Sequence, residues 1–284
     1  RFVLHQQGAS AARPDRGGYH RAVCVSGLTT VGQIATLDEA GQCWATQFRK
    51  ALPSAATTIN AWVDWSYAAG SPAANFYAST PLEAAELDAS RGIYLPTVSP
   101  ATQHIKNLTM MYAASASSLT LPTILADYLM YYPFVDTDAV GEEQTMTNGI
   151  TLPRYDYGQV MAVSQSASSS IGQYTFNYTN QDGTAGRVSQ VNFAPIVAGG
   201  GQMVSASGTG TSYNPFCRLQ AGDRGVKSIE SVTFSAAGGG LMALVIVKPL
   251  FTGYMLQECR TTSGQVFGSA CEFMSMIHFA GAPQ

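Results

Sequence analysis

Asn180-Gln-Asp-Gly183 carries side-chain oxygens at alternate positions ahead of a glycine, the residue types of a cation-binding loop. A helix–loop–helix calcium site also needs further oxygen ligands and a closing bidentate glutamate. No Glu stands at that distance, whether Asn180 is counted as the first or the third ligand. Asp-Gly between alternating apolar runs instead signals a hairpin whose positive φ angles those two residues supply. Asn180, Asp182 and Gly183 are therefore assigned to a structural turn. Glu142-Glu143, and Glu83 with Glu86, have the residue types of a glycosidase pair, but such pairs act only across a defined gap in a cleft, and spacing alone does not supply one. Gly199-Gly-Gly201, Gly208-Thr-Gly210 and Gly238-Gly-Gly240 lack the Lys-Ser/Thr ending and the strand–loop–helix setting of a phosphate loop, so they read as turns. His5, His20, His104 and His278 are far apart, and no nucleophile-elbow motif is present. No catalytic, cofactor-binding or metal residue is assigned.

Five cysteines, Cys24, Cys43, Cys217, Cys259 and Cys271, leave one unpaired under any full pairing and match no zinc spacing. Free thiols in a reducing interior are the expected state. Trp62 and Trp65, with Tyr128, Tyr131 and Tyr132, supply an aromatic set that serves either core and interface packing or a sugar platform. Asn107-Leu-Thr109 and Asn177-Tyr-Thr179 match the glycosylation sequon, but their strand-like setting makes them chance matches.

Only 12% of the 284 residues are charged, against roughly 25% in an average domain. A monomer usually stays soluble through a mixed-charge surface, so a chain this poor in charge is expected to bury surface against partners. The net charge of -3 excludes a basic stripe for nucleic acid. Arg13, Arg16 and Arg21 form the only loose basic cluster, and its Gly/Pro surroundings read as a solvated or partner-docking arm. No apolar run reaches bilayer length, and no signal-peptide pattern opens the chain.

The elements that must position these residues read as β-strands. Residues 6–18 suggest an extended arm; residues 31–37 are a short apolar piece, and residues 43–52 read equally as helix or strand. Residues 59–65 alternate loosely, residues 70–102 form a Pro-rich excursion, and residues 104–112 alternate well. Residues 123–132 predict a buried strand ended by Pro133, followed by a polar loop or helical turn over 136–148. Tyr174, Phe176 and Tyr178 share one face of a clean strand, and Val191 with Phe193 share a face of the next. Val226, Ile229, Val232 and Phe234 mark a later strand, and residues 240–247 another. Almost no 3.6-residue periodicity and no repeat of 20–50 residues is found, which predicts an all-β sandwich or jelly-roll-like core with an extended N-terminal arm. The expected division is an arm with short strands over 1–52, a sandwich core over 53–252, and a C-terminal β segment over 253–284.

Several phrases occur together in order. They are Phe48-Arg-Lys50, Ala61-Trp-Val-Asp-Trp-Ser-Tyr-Ala-Ala-Gly-Ser-Pro-Ala-Ala-Asn-Phe-Tyr77, Asp127-Tyr-Leu-Met-Tyr-Tyr-Pro-Phe134 and Leu152-Pro-Arg-Tyr155. Tyr178-Thr-Asn-Gln-Asp-Gly-Thr-Ala-Gly-Arg187, Leu219-Gln-Ala-Gly-Asp-Arg-Gly-Val-Lys-Ser-Ile-Glu-Ser-Val-Thr-Phe234 and Val247-Lys-Pro-Leu250 follow. Over roughly residues 46–252 the set resembles virion-associated proteins of tailed bacteriophages encoded among the head structural genes. The resemblance implies a non-enzymatic capsid decoration (cement) or minor head protein, made in the host cytoplasm and located on the phage head. It implies the major capsid protein as partner and a trimer or other capsid-symmetric homo-oligomer, with no catalytic residues to carry over. Arg13, Arg16, Arg21, Trp62 and Trp65 are the interface candidates. The competing expectation is a carbohydrate- or receptor-binding sandwich of a tail or fibre that uses Trp62 and Trp65; a secreted hydrolase ranks last.

Overall fold

The computed structural model describes residues 2–6, 30–41, 43–46, 48–50, 62–93, 103–110, 121–202, 214–255, 260–262, 265–267, 271–273 and 277–278. In chain order these give β1 (Phe2–Gln6), helix α1 (Val31–Glu39), β2 (Cys43–Thr46), β3 (Arg49–Lys50) and β4 (Gly70–Ser71). Next come β5 (Gln103–Met110), β6 (Leu121–Asp136), β7 (Glu143–Thr145), β8 (Gln159–Ser164) and β9 (Gly172–Asn180). The short strands β10 (Arg187–Val188) and β11 (Asn192–Ala194) lead to the long β12 (Val226–Ala236) and β13 (Leu241–Met255). β14 (Arg260–Thr262), β15 (Gln265–Phe267), β16 (Cys271–Phe273) and β17 (Ile277–His278) complete the set. The fold is mostly β, with antiparallel sheets packed together, as the sequence predicts.

The chain divides into two compact units, Arg1–Gln47 with Leu95–Leu125 and Leu250–Gln284, and Phe48–Tyr94 with Ala126–Pro249. In the first unit β1 lies between β2 and β5, antiparallel to both, and β16 and β17 pair with β5. Its helix α1 is one that periodicity missed, yet its start is written locally. Thr30 Oγ1 accepts from the Gln33 N–H (3.3 Å), and Gln33 Oε1 accepts from the Thr30 N–H (3.1 Å), a capping box. Residues 7–29 of the expected arm, including Arg13, Arg16 and Arg21, lie outside the described residues.

The second unit is a sandwich. One sheet has the order β7-β12-β9, with both β10 and β11 along the far side of β9; the other has the order β6-β13-β8. Tyr174, Phe176 and Tyr178 of β9 and Val226, Ile229, Val232 and Phe234 of β12 face Val160, Ala162, Met242, Leu244 and Ile246 across one core. The far face of the three-stranded sheet is also covered: Met161, Val163, Ala243, Val245 and Val247 join Tyr77 and Tyr131 in a second cluster. This double burial explains the two kinds of strand in the sequence. β9 alternates because its outer face is half-open, whereas Met242 to Val247 of β13 form a continuous apolar run because neither face of that stretch meets water.

Three local expectations are corrected. Pro133 does not end its strand; β6 continues to Asp136 because it is the edge of its sheet, where a missing N–H costs no ladder bond. The Pro133 carbonyl instead accepts from the Leu82 N–H at 2.9 Å. Residues 62–65 are not a strand but a bridge at Val63 followed by a turn, and the polar 136–148 segment contains β7, paired with β12. The apolar spacing of three in Val226, Ile229 and Val232 fits a strand because register shifts occur between Val226 and Ser228 and between Ile229 and Ser231. Each adds a residue and returns the next apolar side chain to the core face.

Candidate functional site

Two acids organise the polar chemistry of the second unit, one a fully buried residue and one a half-buried residue. Asp64, 1% exposed, sits where the Val63–Gln202 bridge and the bond from the Asp64 N–H to the Gly201 carbonyl (2.8 Å) hold the backbone. Its carboxylate closes an Asx turn by accepting from the Ser66 N–H at 2.8 Å. It also accepts from the hydroxyls of Ser66 (2.9 Å), Tyr128 (2.9 Å) and Tyr77. Tyr77 occupies the left-handed region at φ 52, a conformation that persists only when surrounding contacts over-determine it. Here its ring is fully buried and its hydroxyl is held on Asp64.

Lys50 completes this cluster from β3. Its ammonium donates to the carbonyls of Ser66 (3.2 Å), Ala68 (3.1 Å) and Ala73 (3.2 Å), pulling the excursion loop together. Burial pushes the Asp64 carboxyl above the usual carboxylate range, against the pull of its hydrogen-bond donors. Burial likewise pushes the Tyr77 and Tyr128 hydroxyls well up and the Lys50 ammonium down. Tyr67 packs beside this cluster with its ring on Gly200-Gly201; a Cβ on Gly200 would lie 2.5 Å from that ring. The glycine run therefore serves a close aromatic approach.

The second acid, Asp223, has a side chain 4% exposed and receives a forked pair from Arg187 Nε (2.9 Å) and a terminal guanidinium nitrogen (3.2 Å). The Tyr178 hydroxyl (2.6 Å) and Asn180 Nδ2 (2.9 Å) donate to it as well. The Arg187 guanidinium, ahead of the other donors, holds the Asp223 carboxyl down at about 2. Asn180 also shapes the hairpin between β9 and β10: its Oδ1 accepts from the N–H groups of Asp182 (3.1 Å) and Thr184 (2.9 Å). The structure thus brings Asn180, Asp182 and Gly183 into one turn, but of the Asp-Gly pair only Gly183 takes positive φ, at 82°. Gly186, at φ 69, provides the other left-handed residue of this loop.

Trp62 is half-buried and packs against the second core cluster, and Trp65 is half-buried in the turn after Asp64. Asn177 of one sequon donates to Ser231 Oγ at 2.9 Å within the sheet. Cys217 is buried as a thiol, its Sγ 3.5 Å from the Tyr174 hydroxyl, while Cys24 and Cys259 and the side chains of Cys43 and Cys271 lie outside the described residues. Among the described residues no three metal-ligating side chains gather, and no helix is long and apolar enough to cross a membrane. Sequence reasoning missed both acid clusters; the local signal for the first was Asp64-Trp-Ser66, the residue pattern of an Asx turn. Compared with protein-family models, curated proteins and solved structures, the chain matches none of them.

Proposed function

We propose that this chain is a non-enzymatic structural protein of a phage virion, a decoration or cement subunit that binds the major capsid protein as a homo-oligomer. The observation that carries the reading is surface character. Val188 of β10, Val191 just before β11 and Ile196 just after it are 49%, 43% and 51% exposed, in a chain with only 12% charged residues. An apolar sheet edge with few charges is a surface that associates. The ordered phrases that resemble those of phage head proteins support the same reading. In that role, contacts across capsomer junctions add interfacial free energy that opposes internal DNA pressure. Trp62 and Trp65, both half-buried, give the sugar-platform alternative little open ring face.

The test is to add the purified chain to empty heads that lack it, then follow co-sedimentation and image the particles. Saturating, symmetric binding to the head, weakened at least tenfold by Val188→Asp with Ile196→Asp, is the expected result. Density confined to tail fibres, or no association with heads, would overturn the reading.

A further inference from the structure

Asn148-Gly149 lies on a short exposed segment that is pinned from three sides. The Met146 N–H donates to the Glu230 carbonyl (2.7 Å), the Thr147 N–H to the Leu82 carbonyl (2.8 Å), and the Ala84 N–H to the Thr147 carbonyl (2.8 Å). On the far side Ile150 packs against the main core. Within this frame the Tyr132 hydroxyl donates to Asn148 Oδ1 at 2.5 Å. That hydroxyl is itself held in place, because it accepts from the Ile229 N–H of β12 at 3.2 Å. Glu83 stands on the other flank: a Cβ placed on Gly149 would lie 3.6 Å from Glu83 Oε1. Among the described residues no group accepts the Gly149 N–H.

We propose that Asn148-Gly149 is a self-modification site, at which the fold drives conversion of Asn148 to aspartate and isoaspartate. The Gly149 nitrogen gives its proton to the Glu83 carboxylate, which reaches it by side-chain rotation from its place beside the Gly149 α-carbon. The nitrogen attacks Asn148 Cγ and forms the N–Cγ bond of a five-membered ring. Negative charge develops on Asn148 Oδ1, the atom the Tyr132 hydroxyl already faces, so the donor acts as a preorganised oxyanion partner. Collapse of the tetrahedral centre breaks the bond to the amide nitrogen, which takes up a proton and leaves as ammonia. Water then opens the succinimide at either carbonyl, giving aspartate or a backbone-lengthened isoaspartate. The sum is asparagine plus water going to an acid plus ammonia, with no change of oxidation state.

The glycine places no side chain in the way of its own nitrogen, and the hydroxyl approaches the carbonyl oxygen rather than the amide nitrogen. Burial pushes the Tyr132 hydroxyl above its ordinary value, so it stays a donor through the neutral and alkaline range. The product adds a negative charge beside Glu83 and, as isoaspartate, lengthens the backbone between Thr147 and Ile150. An ageing protein would therefore carry a chemical mark at one defined place on the sandwich.

The experiment compares the full-length native chain with the same chain unfolded in urea at the same pH and temperature. Peptide mapping by mass spectrometry, with an isoaspartate assay, follows Asn148 over time. The native chain is expected to convert Asn148 faster, by roughly tenfold, below the ~10²–10³ of a fully enclosed oxyanion donor because Asn148 is exposed. Tyr132→Phe and Glu83→Gln, each checked for native circular dichroism, should slow native conversion and leave the urea rate unchanged. Loss of folding in Tyr132→Phe would move its rate to the urea value, and Glu83→Gln then carries the comparison. A native rate equal to or below the unfolded rate overturns the proposal. So does a folded Tyr132→Phe variant that converts as fast as the parent.

Discussion

Asp64 and Asp223 are both nearly inaccessible carboxylates in one unit, and both receive tyrosine hydroxyls, yet their ordinary values move in opposite directions. Asp64 is surrounded by neutral donors, the Ser66 N–H and three hydroxyls, while Lys50, whose charge interacts with it, is committed to loop carbonyls. Asp223 has a guanidinium in a two-point fork. Hydroxyl donors partly offset the desolvation of a carboxylate, whereas a guanidinium more than offsets it. The first acid is therefore a desolvated clamp on a loop, and the second is an ion-paired rivet between a hairpin and residues 218–225.

The largest separation between the two is expected on truncation. Asp64→Ala removes the acceptor of the Tyr77, Tyr128 and Ser66 hydroxyls. Ser66 and Tyr77 keep their mutual contact at 3.4 Å, so about two buried orphans at about 1–3 kcal/mol each give an expected loss of about 2–6 kcal/mol. It also removes the contact that holds Tyr77 at positive φ. Asp223→Ala should cost less, because the Arg187 side chain is 27% exposed and its guanidinium recovers water as partner. Urea midpoints of the two variants check the order, and a reversal would show that the loop clamp contributes less than the ion pair.

Titration should split the pair by sign. Asp64 has a folded value raised above 3.8, so its contribution is fully present below that ordinary value and is lost as pH rises through the folded one. Asp223 has a folded value of about 2, so its contribution is present above 3.8 and is lost as pH falls toward 2. Stability of Asp64→Asn and Asp223→Asn across acid pH, each compared with the parent, tests this. Asp64→Asn should remove a component that falls with rising pH, and Asp223→Asn one that rises. Two variants with slopes of the same sign would break the contrast.

The two clusters also differ from the sheets in how far the sequence foretold them. Alternation through Tyr174, Phe176 and Tyr178, and the unbroken run of β13, reveal strands because burial on one face or on both writes directly into residue order. β7 was hidden because Glu143 and Thr145 are exposed and only backbone pairing to β12 makes them a strand. The bulges of β12 disguised its period, and the edge position of β6 hid the tolerance for Pro133. Asp64 meets partners 13 and 64 residues away, and Asp223 meets Arg187 across 36. Such spacing carries no periodic signal, so only the Asx-turn pattern at Asp64 and the Asp-Gly turn beside Asn180 were legible locally.

The smallest effect discriminates most finely, because one chemical change should act oppositely at the two acids. Tyr128→Phe and Tyr178→Phe each delete one hydroxyl, with an expected cost of about 1 kcal/mol apiece. At Asp223 the loss also strips the Gln220 N–H of its acceptor, 3.0 Å away. Both hydroxyls pull their carboxylate downward, so removing either raises the acid's value. Raising Asp64 carries it further from its unfolded value, which steepens the decline of stability with pH. Raising Asp223 brings it back toward 3.8, which flattens the gain of stability between about 2 and that value. Parallel urea titrations of the two phenylalanine variants should therefore show one slope growing and the other shrinking. If both shrink, the Asp64 clamp owes its shift to the tyrosine contacts themselves rather than to desolvation, and the distinction between clamp and rivet fails.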